Sequence, residues 1–163
     1  MAWWGRILCV DDVDRRILAE LQRDGRQTLT DLSERVGISA SPCHRRLRTL
    51  ERDGVITGYR ALLDPAALGF TFEAVVFVTM RYGDTDTVAA FERAVEGVPE
   101  VRDAHRLFGD PDYVLKVVAR DLAGFTQLYD EQLAALPGVD RLRSTPVMKA
   151  VVADRPLPPF VGL

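Results

Sequence analysis

The spacing of apolar residues changes once along this chain, close to residue 57, and this change limits the possible folds most strongly. Before it, apolar side chains recur three and four positions apart, which predicts short amphipathic helices. After it, runs of alternating residues are separated by helical stretches, which predicts a sheet with helices packed on it. With 163 residues, 47% of them apolar, the chain can form two small domains with separate cores.

The first half predicts three helices joined by short turns. The first runs from about Asp12 to Asp24 and is ended by Gly25. The second starts behind a capping box of Thr28 and Asp31 and ends at Gly37 after barely two turns. The third follows at once. Two helices joined by a tight glycine turn, with a supporting helix before them, predict a helix-turn-helix whose later helix enters the major groove of DNA.

The third helix, in the stretch SASPCHRRLRTLERDG, carries the basic charge of this half. Either Ser39 or Ser41 can cap it, and Cys43, Leu47 and Leu50 form its inward stripe. Residues 41–52 hold four arginines against one glutamate, a net charge of +3. A merely solvated face is the alternative, but a basic helix in this position favours contact with phosphates and bases. The predicted DNA contacts are Ser39, Ser41, Pro42, His44, Arg45, Arg46, Arg48, Thr49 and Arg52.

The two halves differ in the sign of their charge. Residues 1–63 carry a net charge of +2, whereas residues 64–163 carry −5. This asymmetry predicts a nucleic-acid module joined to a domain with another task.

The second half predicts the order β-α-β-β-α-β, with elements at about 72–82, 86–96, 101–108, 113–120, 122–136 and 142–152. In this ferredoxin-like plan both helices cover the same face of the sheet. The opposite face still carries apolar side chains, namely Val75, Phe77, Val114 and Val118. A second copy packed sheet to sheet is the simplest cover, so we expect a homodimer.

The motifs of the first half stand in an order that is characteristic of one family. D-x-x-D-x-x-I-L, G-I-S-x-S-P, R-R-L-x-x-L-E-x-x-G-V-I and G-Y-x-A-L-L-D-P follow one another between Val10 and Gly69. This stretch resembles the DNA-binding domain of the Lrp/AsnC, or feast/famine, transcription regulators. The second half is similar to that family's effector-binding (RAM) domain as far as about Ala153.

The resemblance implies an α+β chain in which a helix-turn-helix domain is joined to a ferredoxin-like domain. We expect an N-terminal tail at 1–9 and the DNA-binding domain at 10–57. A linker strand and hinge at 58–70 lead to the effector-binding and oligomerisation domain at 71–153. Residues 154–163 are expected to form a frayed, extended tail. The role of the opening MAWWGRILC is not explained by the family pattern.

The stretch LFGDPDYVLKV predicts a tight turn that could hold a zwitterion. Backbone N–H groups near Gly109 could bind the carboxylate of an amino acid, and Asp110 or Asp112 its ammonium, although an ordinary Gly-Asp-Pro turn is the alternative. The resemblance implies an effector site at Gly109, Asp110, Asp112 and Tyr113, joined by Leu122, Ser144, Thr145 and Pro146. Pro111 replaces the family's usual aromatic residue, so the identity of the effector is not inherited.

Together these features predict a sequence-specific transcription regulator whose activity or assembly responds to an amino acid or related metabolite. The expected partners are double-stranded DNA, the effector and further copies of the chain, as a homodimer that builds a tetramer or octamer. A nucleoid-organising protein without an effector is one alternative. An enzyme is another, because Asp103 and His105 share a strand face, but no nucleophile or phosphate loop accompanies them.

No cofactor or metal is expected, because the histidines and cysteines lack ligand spacing. Cys9 and Cys43 are too few for a disulfide framework, which favours reduced thiols. The chain has no apolar run of about 20 residues and its start lacks the features of an export signal. We therefore expect a cytoplasmic, nucleoid-associated protein without a membrane segment.

Overall fold

The computed structural model of the protein describes residues 10–81 and 83–158. The opening segment 1–9, the predicted strand end at Tyr82 and the end of the predicted tail, 159–163, lie outside this description. Residues 10–62 and 152–158 form one compact unit, and residues 63–151 form the other. Within the described ranges, none of the helices has the length and apolar character needed to cross a membrane.

The first unit contains the three predicted helices, α1 (Asp12–Arg23), α2 (Leu29–Val36) and α3 (Ala40–Arg52). Their apolar stripes meet in one core. The buried residues of this core are Ile17, Leu18, Leu32, Val36, Cys43 and Leu50. Gly37 ends α2 in a left-handed conformation with φ of 75°, and its N–H donates to the Ser33 carbonyl at 3.0 Å. This turn lets α3 start within three residues, as the sequence predicted.

Two of the predicted helix caps differ from expectation. The Thr28 hydroxyl accepts the Asp31 N–H at 3.1 Å but donates to the Asp31 carboxylate at 2.7 Å, so that carboxylate does not close a capping box. Ser39 occupies the cap position of α3 without a side-chain cap bond, and Ser41 lies inside the helix. A reciprocal capping box does form at the start of α1, between Asp11 and Asp14.

The second unit is a four-stranded antiparallel sheet in the order β2-β3-β1-β4, which confirms the ferredoxin-like plan. Its strands and helices are β1 (Phe72–Met80), α4 (Thr85–Glu96), β2 (Val101–Arg106), β3 (Tyr113–Ala119), α5 (Leu122–Leu128) and β4 (Val139–Pro146). Central β1 pairs with β3 through Val76 opposite Leu115, and with β4 through Val76 opposite Ser144.

The helices cover one face of the sheet, where the core of this unit lies. Ala74, Val76 and Val78 point into it from β1 and are fully buried, as is Phe91 of α4, and Phe125 of α5 packs against them with 7% exposure. The alternate residues of β1 are only half-buried on the opposite face. The alternation predicted from the sequence is therefore confirmed.

Three predicted features of this unit and its connections were wrong. The last strand is Val139–Pro146, earlier than 142–152, because the chain enters β4 directly after the turn at Gly138. The last helix does not run regularly to residue 136. It changes to a π-helical turn at Tyr129–Leu133, and its first residue, Leu122, is 62% exposed. Residues 57–64 form no strand, because an extended segment needs a neighbouring strand to pair with.

The described part of the predicted tail is attached to the first unit. Arg60 Nη2 lies 3.2 Å from Asp154 Oδ1, and the Leu157 N–H donates to Gln22 Oε1 at 2.7 Å. The described part of the tail is therefore not frayed, although its side chains remain exposed.

Candidate functional site

Helix α3 presents most of the predicted DNA contacts to solvent. Cys43 and Leu50 anchor one side of the helix in the core with exposures of 0% and 4%. The opposite side is therefore free to meet a ligand. Its exposed members are Ser39, Ser41, His44, Arg45, Arg48 and Arg52, whereas Pro42, Arg46 and Thr49 are partly buried.

The arginines of α3 are not equivalent. Arg48 contacts Glu51 at 3.5 Å and Arg52 contacts Asp53 at 2.9 Å, but both side chains remain more than 70% exposed. Arg45 has no ion-pair partner within residues 10–81 and 83–158. Arg45 is therefore the cation on this helix that an incoming phosphate or base would meet with the least competition.

Arg46 connects α3 to the start of α1. Its Nη1 lies 2.6 Å from Asp11 Oδ2 and 2.9 Å from Asp14 Oδ1. These bonds raise the pKa of Arg46, and the Asp14 N–H together with Arg46 lowers the pKa of Asp11. The guanidinium of Arg46 therefore ties α3 to the start of α1, and its predicted contact with DNA stays a prediction.

Cys43 lies beneath this surface and is free and fully buried. Burial raises the pKa of its thiol, so the group stays protonated and packs as a small apolar side chain.

The predicted effector loop is a connection between β2 and β3 that is held by backbone bonds. The Asp112 N–H donates to the Val78 carbonyl at 2.9 Å, and the Leu107 N–H donates to the Asp112 carbonyl at 2.7 Å. Gly109 has φ of 139°, a conformation that favours glycine. Gly109 and Asp110 are exposed, so they remain accessible to a small molecule.

The other two residues of this predicted set, Asp112 and Tyr113, make internal contacts. The Asp112 carboxylate accepts the Met80 N–H at 2.7 Å. Tyr113 is buried, and its hydroxyl donates to Glu92 Oε1 at 2.9 Å. Burial, followed by this carboxylate, raises the pKa of Tyr113 to about 12. Both residues therefore stabilise the end of the sheet, which the sequence could not indicate.

The remaining predicted effector residues lie away from this loop. Asp112 and Tyr113 adjoin β1 at Met80 and Val78, whereas Pro146 pairs with Ala74. Val78 lies four positions along the strand from Ala74, a distance of about 13 Å. One amino acid cannot span that distance within a single chain.

The two β4 residues of the predicted pocket also point to opposite faces. Ser144 pairs with Val76 on the helix-covered face, and its Oγ is buried without a hydrogen-bond partner among the described residues. Thr145 pairs with half-buried Val75 on the open face. Leu122 follows β3, whose end at Ala119 pairs with Phe72, so it lies at the Pro146 end of the sheet.

Comparison with known proteins accounts for both units. A family model described as winged helix-turn-helix DNA-binding matches residues 10–57, and one described as the Lrp/AsnC ligand binding domain matches residues 73–157. The chain belongs to the Lrp/AsnC family of transcriptional regulators. It is 42% identical over 142 residues to the leucine-responsive regulatory protein of Escherichia coli, with 87% of each protein covered.

Solved structures of Lrp/AsnC proteins show the same fold. A transcriptional regulator from Neisseria meningitidis, in complex with L-Met, is 36% identical with a TM-score of 0.86 over 91% of this chain and 96% of that one. A feast or famine regulatory protein from Mycobacterium tuberculosis, complexed with L-methionine, is 33% identical with a TM-score of 0.80 over 90% and 97%. The predicted family and fold are confirmed.

Proposed function

We propose that this Lrp/AsnC protein binds specific double-stranded DNA through α3 and that an amino acid or related metabolite changes its activity or assembly. The observation that carries the DNA part is the exposed basic side of α3, with Arg45 unpaired among the described residues while Cys43 and Leu50 hold the helix in its core. The planar guanidinium group of arginine can donate two hydrogen bonds at once, to the acceptors of guanine or to phosphate oxygens. We assign it no reaction and no cofactor.

The first experiment measures binding to the protein's own upstream DNA and to a shuffled fragment across a salt series. Specific regulation predicts much tighter binding to the upstream DNA, whereas equal affinity would support a nucleoid-organising role instead. Arg45→Ala should lower affinity for the upstream DNA by roughly 5- to 150-fold, the equivalent of one lost bidentate contact. Arg93→Ala removes the same charge from an exposed position on α4 and should change neither affinity nor salt dependence.

For the effector, we propose that the exposed Gly109-Asp110 turn contacts the ligand directly. Two relatives are solved with L-methionine, which supports an amino acid as the ligand class. Because the loop and the Leu122 and Pro146 region are about 13 Å apart, a pocket that uses both sets must draw them from different copies of the chain.

We also propose a homodimer in which a second copy covers the open face of the sheet, with dimers joining into a tetramer or octamer. Val75, Phe77 and Val114 are half-buried there, and the Arg143 guanidinium lies 4.6 Å from the centre of the Phe77 ring. Full burial of an exposed side chain of this kind contributes about 1.5–3 kcal/mol, and covering these half-buried ones supplies part of that. Sedimentation of the purified protein tests this, and a monomer at micromolar concentration would contradict it.

A melting screen against the common amino acids tests the effector, because a ligand that binds only the native protein raises its unfolding midpoint. An unfolding midpoint that no amino acid raises would count against the proposed effector class. A protein of this kind would work in the cytoplasm, associated with the nucleoid.

A further inference from the structure

The open face of the sheet, which the helices leave uncovered, carries a cation without a counter-charge of its own. The Arg143 guanidinium lies 4.6 Å from the centre of the Phe77 ring on this face. Arg143 has no ion-pair partner within residues 10–81 and 83–158, and its side chain is exposed. In a single copy of the chain, water therefore solvates this charge.

Covering the open face takes that water away from Arg143. A charge that is removed from water needs an opposite charge and hydrogen-bond acceptors in its new surroundings. A second copy that packs on this face must therefore bring a carboxylate to Arg143 or leave the charge unpaired. The positions of the carboxylates on the sheet consequently limit how two copies can fit together.

The four strands carry three carboxylates, and two of them are engaged within the chain. Glu73 Oε1 lies 3.4 Å from Lys116 Nζ. Asp140 Oδ1 lies 3.5 Å from Arg81 Nε, beside the register shift between β1 and β4. The third carboxylate, Asp103 of β2, is exposed and forms no salt bridge in the part of the chain that the structure describes. It is therefore the carboxylate available to a second copy.

Asp103 and Arg143 lie on the same face but at opposite edges of the sheet. The strand order β2-β3-β1-β4 puts them on the two edge strands. Asp103 pairs with Lys116, which pairs with Val75, and Arg143 pairs with Phe77, so all of them share the open face. Three strand spacings separate the two edges, a distance of about 14 Å. Within one copy, the two side chains cannot meet.

A twofold axis can bring the two edges together. A homodimer uses the same patch on both copies. If the axis runs along the strands, β2 of each copy lies over β4 of the other, and Asp103 faces the strand that carries Arg143. Facing sheets lie about 10 Å apart, a gap that an arginine and an aspartate bridge together. If the axis runs across the strands, β4 lies over β4, and Arg141 and Arg143 of both copies meet. Like charges across an interface are unfavourable, so charge selects the first arrangement.

We propose that the two copies of the homodimer are held in this first arrangement by two Arg143–Asp103 ion pairs, one at each edge of the facing sheets. The inference rests on the proposed homodimer and adds how its copies are oriented. Each copy supplies the counter-charge that the other lacks, so the face is complementary to a second copy of this chain.

Exchange of the charges tests the pairs, with sedimentation equilibrium of the full chain as the measurement. Arg143→Asp sets carboxylates against each other at both edges, and Asp103→Arg does the same with guanidinium groups. Each variant should weaken the dimer by about tenfold or more. Arg93→Asp makes the same change of charge at an exposed position on α4 and should leave the dissociation constant unchanged.

A mixture of the two weakened variants gives the decisive result. A mixed dimer holds one native pair and one pair with its charges exchanged. Equal amounts of Arg143→Asp and Asp103→Arg should therefore dimerise with close to the wild-type dissociation constant, and the double variant should do so by itself. Recovery also shows that both variants fold, because an unfolded chain could not be rescued by its partner.

The possible failures are distinguishable. If the wild type is a dimer but neither the mixture nor the double variant recovers, the ion pairs are overturned and the homodimer stands. If Arg143→Asp dimerises better with the wild type than with Asp103→Arg, β4 lies over β4, which also overturns the pairs. A wild type that is monomeric at micromolar concentration overturns the homodimer and this inference together.

Discussion

Helix α3 and the loop from Leu107 to Tyr113 both carry the polar residues of a predicted binding site, yet they use them differently. On α3, Ser41, His44 and Arg45 point into solvent. In the loop, Asp112 and Tyr113 turn toward the protein and bond Met80 and Glu92. The helix keeps its polar groups available for a partner. The loop uses two of its four predicted site residues, Asp112 and Tyr113, to stabilise the end of the sheet.

The difference follows from backbone geometry. A helix fixes the direction of each side chain by its period of 3.6 residues, so burying Cys43 and Leu50 decides where the others point. A loop has no period, and Asp112 turns toward the backbone N–H of Met80, whereas Tyr113 is the first residue of β3 and points inward by the alternation of that strand. Function can therefore be inferred from spacing on α3 but only from contacts in the loop.

The comparison predicts its largest effect on stability at Asp112. Asp112→Ala removes the acceptor of the Met80 N–H and should lower the free energy of unfolding by about 1–3 kcal/mol without any ligand present. Urea denaturation measures this. Asp110→Ala removes a charge two residues away at an exposed position and should change it by less than about 0.5 kcal/mol. Equal effects of the two variants would contradict the structural role of Asp112.

Tyr113 gives the next effect, and it depends on pH. Its pKa of about 12 in the folded protein exceeds the ordinary value of about 10, so its contribution to stability is complete below pH 10. That contribution is lost as the pH rises toward 12. Tyr113→Phe should cost about 1 kcal/mol at pH 8 and remove part of the decline between pH 8 and 11.

The measurement is urea denaturation of both proteins at the two pH values. The difference between the free energies of unfolding of the wild type and the variant cancels the contributions of the other tyrosines. If the free energies of unfolding of the wild type and of Tyr113→Phe fall by the same amount between pH 8 and 11, Tyr113 titrates like an exposed tyrosine.

The smallest expected effect on stability is at Arg46, and it separates two neighbouring arginines of α3, Arg46 and Arg45. Arg46→Ala breaks the contacts with Asp11 and Asp14, which are partly exposed, and should cost less than about 1 kcal/mol of stability. Arg45→Ala should leave the unfolding midpoint unchanged. The unfolding midpoints of the two variants are compared by thermal melting at low and at high salt. Salt screens ion pairs, so it should reduce the loss of stability caused by Arg46→Ala and leave Arg45→Ala unaffected. A lower midpoint for Arg45→Ala would show that Arg45 has a structural partner as well.

The sequence predicted the elements that depend on a regular period and missed the contacts that depend on tertiary structure. The apolar stripe of α3 and the alternation along β1 were correct because each follows from residues within one element. The Asp11–Arg46 contact joins residues 35 positions apart, and no local pattern indicates it. The family resemblance assigned Ser144 and Thr145 to one pocket, and that assignment stays a prediction; the structure adds that the two residues lie on opposite faces of β4.

The unit that contains the DNA-binding helices is discontinuous in sequence, because residues 152–158 return to it after the whole 63–151 unit. A hybrid regulator made with a single junction near residue 62 would therefore combine the α1 of one parent with the tail of another. The contact between Gln22 and the Leu157 N–H shows where the mismatch would fall. Exchange of sensing modules between relatives should work better as an insertion with two junctions than as a fusion with one.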